Sequence, residues 1–258
     1  MRIALGVEYD GTQFCGWQVQ EGVRTVQACI EQALAKVADH PVRVICAGRT
    51  DTGVHALGQV IHFDSEAVRN ERGWVFGANT HLPQDCSVIW ARVVSDDFHA
   101  RYSAVSRYYR YVIFNRTVRS GVFANRVSWC YRPLDEGRMR EAAHYLIGEH
   151  DFSSYRAVAC QAKQPVRTVH RLDVVRHGEM IVIDIVANAF LHHMVRNIAG
   201  VLMTIGSGER EPVWAKEVLE ARDRTLGGVT APPQGLTLMA VEYPGTFALP
   251  APGAEPFF

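Results

Sequence analysis

The chain has 258 residues, 48% of them hydrophobic, with 27 acidic against 27 basic residues. This is a soluble globular composition, long enough for one large domain or two of ordinary size with a filled core. Zero net charge argues against tight, sequence-indifferent nucleic-acid binding. Only Lys36, Lys163 and Lys216 are lysines, however, so the positive charge is almost wholly arginine. Arginine forks onto phosphate and stacks on bases, so a local patch of it suits RNA, although genome composition produces the same bias. The six cysteines are scattered with no Cys-x-x-Cys pair, which fits reduced thiols in the cytoplasm rather than a zinc knuckle or a disulfide framework. No apolar run reaches the roughly 18 residues of a membrane helix.

In chain order, Ile3, Leu5, Val7 and Tyr9 alternate with Ala4, Gly6 and Glu8, which predicts a strand over 2–9 with one apolar face. Asp10-Gly11-Thr12 then turns the chain. Thr25 N-caps a helix whose stripe of Val26, Cys29, Ile30, Ala33, Leu34 and Val37 stops at His40-Pro41. Two short β-branched strands follow, 42–46 and 59–63, with a glycine-bounded loop between them. A polar stretch, a short helix near 74–79 and a strand over 87–93 close the first half. Residues 96–106 mix polar and aromatic side chains, as expected of a crossover that lines a site.

Arg107-Tyr108-Tyr109-Arg110-Tyr111-Val112-Ile113-Phe114 opens the second half as a strand, with Tyr109 and Tyr111 on one face and Tyr108 and Arg110 on the other. Asp135 caps a helix carrying Met139, Ala142, Ala143, Leu146 and Ile147, which ends at Gly148. A hairpin turns at His177-Gly178-Glu179. Phe190, Met194, Ile198, Val201 and Ile205 predict a helix over 190–206, with Arg196 and Asn197 off its apolar stripe. Pro212 starts a last short helix, Gly227-Gly228 and Pro232-Pro233 an irregular connection, and 236–243 a final strand. The Pro- and Ala-rich tail is expected to be poorly ordered. The pattern predicts an α/β (α+β) fold of two similar domains with mainly antiparallel sheets flanked by helices, 1–104 and 105–245, and a tail over 246–258.

The loop Ala47-Gly48-Arg49-Thr50-Asp51-Thr52-Gly53-Val54-His55-Ala56 sets one acid and one base between glycine turns. Asp51 is its candidate nucleophile or general base, because the threonine hydroxyls only hydrogen-bond and the glycines only shape the backbone. Arg49 can grip phosphate or a base edge, or keep a neighbouring carboxylate ionised. An Asx turn at Asp51 with a surface ion pair at Arg49 fits the pattern equally well. The spacings of His55, His62, His192 and His193 match no standard metal-ligand set. Arg24, Arg43, Arg92, Arg101, Arg107, Arg110, Arg167 and Arg171 are candidates for tracking an RNA backbone.

The loop closely resembles the signature of the tRNA pseudouridine synthase A family, which modifies the anticodon arm. Tyr9-Asp10-Gly11-Thr12, Gly16-Trp17-Gln18, Arg107-Tyr108-Tyr109-Arg110-Tyr111, Phe190-Leu191-x-x-Met194-Val195-Arg196-Asn197 and Gly235-Leu236 are similar to that family's segments and occur in the same order. The resemblance implies a pseudouridine synthase fold and isomerisation of uridine on the 3′ side of the anticodon stem and loop, with no metal or organic cofactor. It implies base extrusion and attack by Asp51 on C6 of uracil or C1′ of ribose. Arg49 is then expected to assist extrusion, Arg196 to be the cation paired with Asp51, and Tyr109 to stack on the flipped uracil and help move the C5 proton. Thr50 and His55 complete the expected substrate-binding set. tRNA as partner, a homodimer forming the RNA cleft and a cytoplasmic location without membrane contact follow from the same resemblance. The rival reading is a non-catalytic RNA-binding module or tRNA folding helper in which Asp51 is only structural.

Overall fold

The structure is a computed structural model that describes residues 1–251; the rest of the expected tail lies outside the described residues. Its elements run β1 (Arg2–Tyr9), α1 (Val26–Ala38), β2 (Ile45–Cys46), β3 (His55–Asp64), α2 (Glu71–His81), β4 (Cys86–Val94), β5 (Ser106–Asn115), β6 (Ser128–Cys130), α3 (Glu136–His144), β7 (Gly148–Asp151), β8 (Val166–His177), β9 (Met180–Ala187), α4 (Met194–Gly206), α5 (Trp214–Ala221) and β10 (Leu236–Glu242). This is the expected mixed α/β architecture with mainly antiparallel sheets and flanking helices. The chain divides into two compact units, Met1–Arg107 with the segment from Thr237 on, and Tyr108–Leu236.

In the first unit the strand order is β4-β1-β3-β10, with the short β2 added to β3. β1 is the centre of an antiparallel set, Leu5 lying opposite Ile61 on one side and Ala91 on the other. Its alternating apolar residues Ile3, Leu5 and Val7 are fully buried with Ile30, Leu34, Ile61 and Trp74. Burying large aliphatic and aromatic side chains is the main term holding such a unit together. The last strand, β10, comes back from the far end of the chain to pair in parallel with β3, Thr237 with His55 and Leu238 with Ala56. That approach leaves no room for a side chain at Gly58, where a Cβ would lie 2.3 Å from the Met239 carbonyl oxygen.

The second unit builds the order β5-β9-β8-β7, with β6 parallel to β5. β8 and β9 form the expected hairpin around Gly178, whose φ is +60°. Helices α3, α4 and α5 pack together, and α3 also packs on β8. Tyr111, Ile113, Phe152, Tyr155, Ile183, Ile185, Leu202 and Ile205 fill this core.

Several elements differ from the sequence expectation for identifiable reasons. α4 starts at Met194 rather than 190 because His193 takes a left-handed conformation, φ 62°, which breaks the helical run and leaves Phe190 and Leu191 in a loop. α2 is longer than expected because Asn70 caps it, its Oδ1 accepting the Gly73 N–H at 2.7 Å, while only Trp74 and Ala78 mark a buried face. Thr25 occupies the cap position of α1 without a side-chain capping bond. β6 and β7 are too short for their residue pattern to announce them. The start of the tail is ordered: Gly245–Phe247 forms a turn, and the Phe247 ring meets Phe98 edge-on at 5.1 Å.

Replacing Gly58 by alanine forces a methyl group into the backbone of β10. The Gly58→Ala protein is expected to lose about 1–3 kcal/mol of stability, the usual range for overpacking. Chemical denaturation measures this, and a change below about 0.5 kcal/mol, the size of an ordinary surface substitution, would show that β10 does not pack on β3 as described.

Candidate active site

The loop joining β2 to β3 has no regular structure of its own, so its shape depends on where its polar groups are tied. The ladder of β2 on β3 pairs Ile45 with His62 and Cys46 with Ile61, and Ala47 N–H adds a bond to Val60 O at 2.8 Å. Beyond Ala47 the loop leaves the sheet. Its Thr50 carbonyl accepts the Trp17 N–H at 3.0 Å, and its Thr50 hydroxyl lies 2.7 Å from the Tyr9 hydroxyl in a buried hydrogen bond. Val54 N–H closes a turn onto Asp51 O at 3.1 Å, with Gly53 at φ +77°. Gly16, at φ +81°, lets this neighbouring turn sit against the loop, where a Cβ would stand 3.0 Å from Thr50 O.

The two early segments, Tyr9 to Thr12 and Gly16 to Gln18, are therefore the bed on which the loop rests. His55 is 3% exposed, and its Nδ1 accepts the Gly11 N–H at 3.0 Å and stands 3.1 Å from Asp10 Oδ1. Its ring anchors the loop's return to that bed rather than facing solvent. Arg107 anchors the loop's start. Its guanidinium is buried and donates to the carbonyls of Ala47, Arg101 and Ala104. Arg107 is thus a structural tie and not part of a backbone-tracking surface.

Within this frame Asp51 is half-buried at the loop's tip, and Arg49 is exposed beside it. Thr50, between them, is buried. Cys46, at the base, is pushed up to about 12 by burial, which keeps it a thiol.

In the second unit Tyr109 is 7% exposed on β5 and meets the Phe190 ring edge-on, centroids 5.0 Å apart. Arg196 projects from the first turn of α4, where its Nε donates to Ala231 O at 2.8 Å while Ala231 N–H donates to the Arg196 carbonyl at 3.1 Å. Asn197 beside it donates to Tyr155 O and accepts from Arg224 and Thr230. On the other face of β5, Tyr108 and Arg110 converge on Asp184, and Arg171 lies over the Tyr108 ring at 5.3 Å. Of the eight arginines proposed from sequence to track RNA, Arg24, Arg92, Arg110 and Arg171 carry the acidic partners Asp85, Glu71, Asp184 and Asp173.

The profile of the family described as tRNA pseudouridine synthase matches residues 6–103 and 142–244. The chain belongs to that family. The tRNA pseudouridine synthase A of Alcanivorax borkumensis is 61% identical over 250 residues, 96% of this chain and 94% of its own length. The protein of the same name from Coxiella burnetii strain Dugway 5J108-111 is 56% identical over 257 residues, covering 100% and 98%, and that of Pseudomonas aeruginosa 61% over 258 residues, covering 100% and 90%. Membership in the tRNA pseudouridine synthase family makes this an isomerase that acts on tRNA, and it does not favour a non-catalytic binding module.

One polar residue of the site escaped the sequence reading. Gln59 is fully buried under the β2–β3 loop, and its only signal was a carboxamide beside the apolar run Val60-Ile61. His62, three residues further along β3, is also buried, and its Nδ1 accepts the Ala100 N–H at 3.1 Å. Burial, with His99 and Arg2 nearby, lowers its pKa from 6.5 to about 4. The folded protein therefore keeps this ring neutral, while the unfolded chain takes up a proton as pH falls below 6.5. Stability from this group is whole above that value and is lost progressively toward pH 4. Between about pH 7 and pH 4.5 the parent protein is expected to lose about 1–3 kcal/mol more than His62→Asn, whose amide oxygen can accept the same N–H. Equal losses in denaturation curves at the two pH values would remove His62 from the account.

Proposed function

We propose that the chain converts uridine to pseudouridine on the 3′ side of the tRNA anticodon stem and loop, with Asp51 as nucleophile. What carries this reading is a half-exposed carboxylate at the tip of a loop that is tied down at Thr50 and Val54 on either side of it. A uridine stacked in the anticodon arm hides both C6 and C1′, so the base must be everted before attack. Arg49, exposed next to Asp51, assists that eversion and holds backbone phosphate.

Asp51 forms a bond to C6 of the ring or to C1′ of the ribose, and the N1–C1′ bond breaks. The freed uracil turns, C5 bonds to C1′, the aspartate is released, and the C5 proton leaves. Tyr109, held edge-on by Phe190, stacks on the uracil and helps the C5 proton depart. Arg196 is the cation that keeps the carboxylate charged in a site closed to water. Thr50 and His55, both buried, serve the substrate site only by holding the loop in place. No cofactor is needed, because the reaction is an internal rearrangement.

The same reading takes a second copy of the chain as the partner that completes the RNA cleft, and the cytoplasm as the location. Among the described residues no helix is long and apolar enough to cross a membrane.

Release of label from uridine carrying a C5 hydrogen isotope in unmodified tRNA reports turnover directly. Asp51→Asn is expected to lower the rate by at least about a thousandfold while tRNA affinity stays within about threefold, as removal of a nucleophile requires. Turnover within tenfold of the parent would end the nucleophile assignment.

A further inference from the structure

We infer that Gln59 is a positioning residue for the isomerisation, its buried carboxamide extending the sheet by one side chain to fix the direction in which Asp51 leaves the loop. The inference rests on Asp51 being the nucleophile. Its starting point is where the β2–β3 ladder stops. Ala47 is the last residue whose N–H reaches the β3 backbone, and the next residue, Gly48, is met by Gln59 instead. Gln59 Nε2 donates to Gly48 O at 2.6 Å, and Gly48 N–H points to Gln59 Oε1 at 3.4 Å. A carboxamide carries the same donor and acceptor as a peptide group, so it takes the place of a strand neighbour for a glycine that has left the sheet.

The second Nε2 hydrogen is directed at the Tyr9 hydroxyl, 3.5 Å away, and that hydroxyl bonds the Thr50 Oγ1 at 2.7 Å. Gln59 thus reaches the residue on each side of Arg49, directly at Gly48 and through Tyr9 at Thr50. Asp51 is the next residue. The local register explains how the side chain gets there. Val7 pairs with Gln59 but Tyr9 pairs with Ala56, so β3 carries an extra residue opposite this part of β1. Such an irregularity re-aims side chains, here gathering Tyr9 and Gln59 beneath the loop.

Gln59 is fully buried and Tyr9 4% exposed, so neither meets substrate. Their effect must pass through the loop's geometry. Misplacing a reacting group by about 1 Å costs on the order of a hundredfold in rate. Loss of the carboxamide should therefore appear in kcat and leave KM for tRNA nearly unchanged.

Four variants of the full chain, assayed with unmodified tRNA for C5 isotope release, test this: Gln59→Leu, Gln59→Glu, Tyr9→Phe and Asp51→Asn. Gln59→Leu is expected to lower kcat about thirtyfold to a hundredfold with KM within threefold, and Tyr9→Phe about tenfold. Gln59→Glu keeps the shape, but its ionised form presents two acceptors to Gly48 O. Burial raises such an acid's pKa, so its protonated form can donate again. Its kcat relative to the parent should therefore recover by at least about fivefold between about pH 8 and pH 5.5, assayed at a temperature where the variant stays folded throughout, while its melting temperature rises over the same span as the acid takes up its proton. Tyr9→Phe removes one oxygen and carries the test if Gln59→Leu does not fold. Loss of affinity with kcat intact, or a Gln59→Glu ratio that does not change with pH, overturns the positioning role. If Asp51→Asn is inactive while Gln59→Leu and Tyr9→Phe turn over like the parent, the positioning role fails alone. If Asp51→Asn turns over, the nucleophile reading and this inference fall together.

Discussion

The hydrogen bond between the Tyr9 and Thr50 hydroxyls, buried beneath the loop, is the contact on which the rest of the first unit's chemistry depends. A nucleophilic carboxylate has to stand at a loop tip where a base can reach it, yet it cannot wander. A loop gains that fixity only by tying its polar groups to something already rigid. Here the rigid body is the β1–β3 pair, and the ties are side chains from both strands. The turn carrying Gly16 and Trp17 adds a backbone bond to Thr50, and Arg107 holds the loop's first carbonyl. Each of these groups is buried, so each bond would be costly to leave unmade.

The second unit solves the same problem differently. Arg196, proposed as the cation, sits on a helix and needs no loop to be fixed. The segment from 229 to 231 runs alongside α4, and Arg196 exchanges two bonds with Ala231 across the gap. Asn197 fastens the next position to Tyr155 and Thr230. This polar edge of an otherwise apolar helix is where the amphipathic pattern breaks, and its side chains tie the helix to neighbouring backbone. Tyr109 is set by packing instead, its ring held edge-on by Phe190 from the loop before the helix.

Much of this was legible in the residues because the local signals and the final contacts agree. β1 was readable to the residue from its alternation, the β8–β9 hairpin from its glycine turn, and α3 from its Asp135 cap, which accepts from Gly137 and Arg138 as expected. The loop between β2 and β3 was readable as a loop from its glycines. What escaped depends on distant partners. Parallel pairing of β10 with β3 leaves no turn between them to read. The left-handed His193 that delays α4 has no compositional mark, and of the strand expected over 42–46 only Ile45–Cys46 pairs with β3. His55 and Arg107 read as groups facing substrate or RNA, yet both are drawn inward to satisfy backbone groups. Gln59 carried almost no signal, since one amide on a strand is ordinary until the glycine it serves is seen beside it.

If the loop is held by the sheet and not merely displayed by it, its tying amides must be as protected as the sheet itself. Native-state hydrogen exchange, resolved by residue, measures this on the protein alone. Trp17 N–H, Val54 N–H and Ala47 N–H, which donate to Thr50, Asp51 and Val60, are predicted to exchange on the timescale of the β1–β3 ladder amides. Exchange at the rates of an exposed loop, while β1 and β3 stay protected, would contradict a preset Asp51.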